Sequence, residues 1–272
     1  KDENKQRNGT TFFIGGFPLN QQNKFQLETG TLFSQANIGI DQGYQLLYKN
    51  KTFPGMSGGP IFDQNNELVG IHGRGEKDFM RSTDQQSIKT FINLGIPIKY
   101  WNQYNKGIKV DVKNEKPKTY DDFLTLSRTI IRQKEDKKTL QEAIKYTSEA
   151  IRLSIEGGFE NRFPYLLRGQ LYDKSNQYKK SLKDYKTALK LQYYPSQSNK
   201  FLNDVYILIS RAFVYQKMGL LDKNIEELDL AIQIDPYIDE TFNLYNMRGI
   251  TKSATNNIQL VRESIIDFNS AL

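Results

Sequence analysis

Two hydrophobic periods divide the chain. Up to Trp101, short apolar runs alternate with turn residues: Thr11–Phe17, Phe25–Phe33, Tyr44–Tyr48, Gly59–Phe62, Glu67–His72 and Phe91–Ile98. Gly15-Gly16, Gly58-Gly59, Asn65-Asn66 and Gly73–Gly75 punctuate them. Six short strands at such spacing predict a small antiparallel barrel or sandwich. From residue 119 onward the apolar positions fall at helical spacing instead. The polar stretch 102–118, with Lys116-Pro117-Lys118 ahead of the first helical run, reads as a linker. The expected domains are therefore 1–101, all-β, and 119–272, all-α.

The helical part contains a repeat. Ala188, Ala231 and Ala271 recur at intervals of 43 and 40 residues. Small residues hold matching places before them: Gly169 and Ser181, then Ala212 (with Asn224 where a second small residue is expected), then Gly249 and Ser264. Small residues let two helix backbones approach, and each helix pair leaves an apolar face that only the next pair covers. An ordinary helical bundle with chance alanine spacing is the alternative. The pattern resembles tetratricopeptide repeats, helix–turn–helix units of about 34 residues. It covers 119–155 (with Ala143 and Ala150 matching), 162–195, 205–236 and 242–272. The resemblance implies an α-helical solenoid whose concave face, lined by Leu166, Gln170, Tyr206, Phe213 and Lys217, binds a protein partner. No set of paired Lys and Asn residues for gripping a C-terminal carboxylate stands out.

Composition narrows the chemistry. The chain of 272 residues has no cysteine, which removes disulfide scaffolds, thiol catalysis and Cys-based metal sites. Its one histidine, His72, leaves no multi-His metal centre, and no metal or cofactor is expected. The net charge of +7 is spread as +2 over residues 1–101 and +5 over the rest, with both signs interspersed. The clustered basic face of a nucleic-acid binder is not visible. No run approaches the ~20 apolar residues that span a bilayer, and no signal segment opens the sequence.

The most informative run is Pro54-Gly55-Met56-Ser57-Gly58-Gly59-Pro60-Ile61-Phe62, followed by Glu67-Leu68-Val69-Gly70-Ile71-His72-Gly73. With Gly15-Gly16-Phe17-Pro18 before it, this resembles the nucleophile segment of trypsin-like serine peptidases, G-x-S-G-G-P, over about residues 10–100. The resemblance implies the second barrel of a chymotrypsin-like fold and a serine-type endopeptidase. Ser57 supplies Oγ for attack on an acyl carbon, and the N–H groups of Gly55 and Ser57 hold the oxyanion. Gly73, Arg74 and Gly75 form the edge that pairs with an extended substrate by strand addition. The run also satisfies the G-x-S-x-G elbow of α/β-hydrolases. That elbow needs an apolar strand running into it, a helix after it and a well-separated later His; here the polar Lys49-Asn50-Lys51-Thr52 comes before the run, a strand follows Pro60, and His72 is only 15 residues on. A glycine-rich turn of no function remains the bland alternative.

His72 stands on the strand after the nucleophile, where the resemblance places a pocket residue and not the general base. Glutamyl endopeptidases, a branch of the same superfamily, carry a His there and a Thr five residues before the nucleophile, as His72 and Thr52 do here. With Lys51 and Arg74 nearby, the expectation is a preference for Glu or Asp on the acyl side. Met56 stands where trypsin has an Asp that pairs with a new amino terminus, so activation by that route is not expected. No His precedes Ser57. The sequence starts at Lys1 and stops at Leu272, directly after the last pattern alanine, and a fragment lacking the His/Asp half of the triad is therefore expected, inactive alone. The alternative is a dead peptidase scaffold that works through its repeats. The resemblance leans toward a bacterial, extracytoplasmic setting.

Overall fold

A computed structural model describes residues 9–19, 24–77, 89–110, 112, 115–133, 136–160, 162–191, 200–236 and 243–271. It forms two compact units, Lys1–Glu156 and Gly157–Leu272. No helix among the described residues is long and apolar enough to cross a membrane. Repeat positions 134–135, 192–195, 242 and 272 lie outside the described residues, as do 111, 113 and 114 of the polar stretch.

The first unit is built on six strands: β1 Thr11–Gly16, β2 Gln26–Gln35, β3 Leu46–Asn50, β4 Pro60–Phe62, β5 Leu68–Lys77 and β6 Lys89–Pro97. They close into an antiparallel barrel in the order β1-β2-β3-β6-β5-β4. Alternation along the strands turns Phe12 and Ile14, Leu32, Leu46 and Tyr48 inward, where Met56 and Ile61 join them in one core. Each expected strand is present. β5 runs five residues beyond His72, because Gly73–Lys77 pairs with β6 through two register shifts instead of turning away.

Ile98–Asn105 continues directly from β6 as α1, which lies against β5 and β6, so the helix takes in residues 102–105 of the expected linker. Two further helices, α2 (Tyr120–Gln133) and α3 (Lys137–Glu156), form a hairpin in the same unit as the barrel. Thr119 and Asp122 cap α2 reciprocally: the Asp122 N–H donates to Thr119 Oγ1 at 3.2 Å, and the Thr119 N–H to Asp122 Oδ2 at 3.0 Å. The other carboxylate oxygen accepts the Asn37 N–H of the barrel at 2.7 Å. Ser34 on β2 adds a hydroxyl contact of 2.8 Å to Thr125.

The second unit contains three helical hairpins among the described residues: α4 (Arg162–Lys174) with α5 (Tyr178–Lys190), α6 (Lys200–Lys217) with α7 (Leu221–Ile234), and α8 (Leu244–Ser253) with α9 (Ile258–Ser270). α5 packs on α6 and α7 on α8, so each hairpin covers part of the one before. The small residues act as the pattern requires. A Cβ on Gly169 would come within 2.6 Å of the buried Tyr185 ring, and one on Gly249 within 2.8 Å of the Phe268 ring. Asn224, in place of a small residue, donates from Nδ2 to the Ala212 carbonyl at 2.7 Å. An ion pair repeats beside these contacts: Arg168 with Asp184, Arg211 with Glu227 and Arg248 with Asp267. In each pair the arginine precedes the small residue, and the acid precedes the large apolar one.

Candidate active site

The segment Phe53–Gly59 links β3 to β4 and is pinned from both sides. Inside it, the Met56 N–H donates to the Phe53 carbonyl at 3.1 Å and the Gly59 N–H to the Met56 carbonyl at 3.0 Å. From the β1 side, the Leu19 N–H reaches the Pro54 carbonyl at 2.9 Å. From the β5 side, the Gly58 N–H donates to the His72 carbonyl at 2.7 Å, and the His72 N–H to the Gly59 carbonyl at 2.8 Å. Met56 anchors the loop: its side chain is fully buried in the barrel core, where an aspartate would have needed a cation.

That framework leaves Ser57 exposed at the tip. Among the described residues, the N–H groups of Gly55 and Ser57 donate to no acceptor. Gly55 has φ +99°, a conformation a Cβ resists, and a Cβ there would meet the Phe17 carbonyl oxygen at 2.5 Å. The loop therefore holds one hydroxyl and two uncommitted donors within three residues, the parts an acyl-transfer site needs to bind a developing oxyanion.

His72 and Thr52 are both buried beside this loop. His72 Nδ1 lies 2.6 Å from the Tyr48 hydroxyl of β3. Burial, and then the Tyr44 charge, push the Tyr48 phenol well above its ordinary value, so it remains protonated. Thr52 donates from Oγ1 to Asn93 Oδ1 of β6 at 2.8 Å, and Asn93 donates to both the carbonyl and the side chain of Asn50. Gly75 stands over this group, since a Cβ on it would meet Asn93 Oδ1 at 3.1 Å and Thr52 Oγ1 at 3.2 Å.

β4 accompanies β5 only to the Pro60–Ile71 pair, and Gly58 and Gly59 extend the pairing to His72. No described strand follows β4 along that edge past Gly73, Arg74 and Gly75. Neither neighbouring cation points into the barrel. Lys51 lies exposed over the Phe53 ring, and the exposed Arg74 guanidinium lies over the Tyr44 ring.

The structure thus gathers Thr52, Gly55, Ser57, His72 and Gly75 around one loop. The residues expected for partner binding lie in the other unit. Leu166 and Gln170 are half-buried on α4, and Tyr206 and Phe213 half-buried on the neighbouring α6. Lys217, also on α6, reaches back to the buried Asp173 of α4 at 2.9 Å. Tyr48, Asn50, Asn93 and Asp173 were not legible as site residues, because strand and helix periodicity presents them as ordinary interior positions.

A closed six-stranded antiparallel barrel with an exposed serine on a glycine-framed loop between β3 and β4 has the fold of a trypsin-like peptidase barrel. Residues 1–71 match the trypsin-like peptidase domain family, a span that takes in β1 to β4 and the first residues of β5. No curated protein matches the chain. Among solved structures, the crystal structure of MamA is similar over 64% of this chain and 84% of its own, at 19% identity and a TM-score of 0.44, a level from which nothing further follows.

Proposed function

We infer that the barrel carries the nucleophile half of a serine-type endopeptidase site, and that the hairpin array is a set of tetratricopeptide repeats that binds a protein. The observation that carries this reading is the Gly55–Gly59 loop, with an exposed serine and the N–H groups of Gly55 and Ser57 that, among the described residues, donate to no acceptor. Ser57 Oγ attacks the scissile carbonyl and loses its proton to a general base. The N–H groups of Gly55 and Ser57 hold the resulting oxyanion until the amine leaves and the acyl-enzyme forms. Water then releases the acid by the reverse proton traffic.

The base is supplied from outside these residues. The one histidine of the chain is buried, bonded through Nδ1 to Tyr48, and belongs to the pocket wall. The substrate extends along the Gly73–Gly75 edge of β5 and places its acyl-side residue over Thr52 and His72. The partner docks on Leu166, Gln170, Tyr206, Phe213 and Lys217.

An activated ester tests the nucleophile directly. Incubated with p-nitrophenyl acetate and mapped by mass spectrometry, the full chain is expected to gain its acetyl group on Ser57, slowly, through the oxyanion donors alone. The Ser57→Ala variant is expected to gain none in that peptide. Acetylation confined to lysines or to other serines would leave the barrel as a scaffold without acyl-transfer chemistry.

A further inference from the structure

The end of α1 presents chemistry that the peptidase reading does not use. α1 buries Ile98, and its Tyr100 ring lies by Gly43, where a Cβ would meet it at 3.7 Å. Trp101 and Tyr104, three residues apart on the helix, share its outer face with ring centroids 6.1 Å from each other. Trp101 is 49% exposed and Tyr104 68%. The helix then closes on Gly107 at φ +72°. The Gly107 N–H donates to the Tyr104 carbonyl at 2.9 Å, and the Ile108 N–H to the Gln103 carbonyl at 3.0 Å. That closure fixes the backbone of Ile108, itself 52% exposed, beside the last turn. Every residue from Trp101 to Lys109 is exposed.

The charge on this segment has one sign. It contains Lys99, Lys106 and Lys109, and no acidic residue occurs between Ile98 and Val110. Lys99 rests over the Tyr100 ring. Among the described residues, the ammonium groups of Lys106 and Lys109 form no ion pair or hydrogen bond, and neither the Trp101 indole N–H nor the Tyr104 hydroxyl has a hydrogen-bond partner. Glu115, a carboxylate on the Tyr100 side, is committed to the Gly39 N–H at 3.0 Å. The dipole of a helix favours lysines at its C-terminus. It gives no reason to expose a tryptophan, a tyrosine and an isoleucine beside them.

We propose that this end of α1 docks the barrel unit on an anionic lipid bilayer, with Trp101, Tyr104 and Ile108 entering the interface and Lys106 and Lys109 against acidic headgroups. Trp and Tyr suit that depth because an apolar ring carries a polar N–H or O–H that headgroups and water satisfy. Each lysine strengthens attachment to an anionic surface about fivefold. Shape separates a bilayer from other partners. Nine consecutive exposed residues make a protrusion, which a bilayer admits, whereas a peptide needs a groove or a sheet edge. A nucleic acid would use the rings for stacking, but Trp101 and Tyr104 lean on each other at 34° and 6.1 Å, too close for a base to enter between them. The three lysines are few against the roughly 6–10 phosphate contacts of a DNA-binding face, and Ile108 adds nothing to either kind of contact.

The chain has one tryptophan, so Trp101 itself reports the docking. The full chain is mixed with vesicles of phosphatidylcholine and phosphatidylserine, or of phosphatidylcholine alone, and binding is read by co-sedimentation and by Trp101 emission. The expected result is co-sedimentation with a blue-shifted Trp101, about tenfold or more tighter on the phosphatidylserine vesicles and weakened by salt. The double variant Tyr104→Ala with Ile108→Ser keeps the reporter and is expected to bind about tenfold or more weakly. Lys106→Gln with Lys109→Gln is expected to lose a similar factor. All four side chains are exposed, so both variants should unfold in urea as the parent does. Binding with an unshifted Trp101, or binding that both variants retain, places the attachment elsewhere and overturns the proposal. So does a chain that stays in the supernatant. A Trp101 shift produced by a single-stranded oligothymidylate and not by vesicles overturns it in favour of a nucleic acid.

Discussion

Gly59→Ala is expected to destabilise the barrel unit by about 3 kcal/mol or more, at the upper end for an overpacked site. A Cβ on Gly59 would fall inside the contact shell of the Gly15 carbonyl oxygen and 2.9 Å from the Met56 carbonyl oxygen. Neither atom can give way, since Gly15 is in β1 and Met56 is fully buried in the core. Gly58 is the control. A Cβ there meets nothing within 4 Å, and its φ of +87° makes alanine cost only about 1 kcal/mol. Urea unfolding followed by Trp101, the one tryptophan of the chain and part of α1 against β5 and β6, reports on this unit alone. Equal losses for the two variants would mean that the β1–β4 junction is not packed as described.

Asp122→Ala is expected to cost the same unit about 3 kcal/mol, because one carboxylate answers several backbone donors at once. It accepts the N–H groups of Asn37 at 2.7 Å, Thr119 at 3.0 Å, Lys118 at 3.2 Å and Ile38 at 3.4 Å, joining the barrel to the start of α2. Burial alone would raise its pKa, but the hydrogen bonds from Asn37, Thr119 and Lys118 outweigh it and hold the carboxyl below its ordinary 3.8. The folded value being the lower one, this stability is present above the unfolded value and is lost as pH falls through the folded value. Unfolding of the parent by urea, followed by Trp101, is therefore expected to weaken steeply below about pH 4, and the Asp122→Ala variant should lack that part of the slope. A variant with the parent's acid limb would assign the docking to other groups.

The parts of the fold that depend on local pattern could be read from the chain. Alternation marked all six strands, and the small residues at Gly169, Ser181, Gly249 and Ser264 marked the helix contacts because sterics alone decide such places. α1 was missed because Ile98–Asn105 has no side-chain N-cap and buries only Ile98, so it carries no clear apolar stripe. The Thr119/Asp122 capping box and the repeated Arg–acid pairs left signals in the sequence, but only the fold shows that Asp122 also grips the barrel. The site divides in the same way. Ser57 was singled out through the resemblance of its segment to a peptidase loop, and Gly55 and Gly58 fit a turn that places both at positive φ. The partners of His72 and Thr52 come from β3 and β6, and no spacing announces a bond between Tyr48 and His72, 24 residues apart.

The central claim, a competent nucleophile and oxyanion loop that lacks only its base, is tested most directly by fluorophosphonate labelling of the full chain with and without imidazole in solution. A positioned base contributes roughly 10²–10⁴-fold, and imidazole supplies part of that from solution. Slow labelling that imidazole accelerates about tenfold or more at Ser57, and not in Ser57→Ala, is the expected result. Brisk labelling without imidazole, or no acceleration at Ser57 with it, would contradict the assignment.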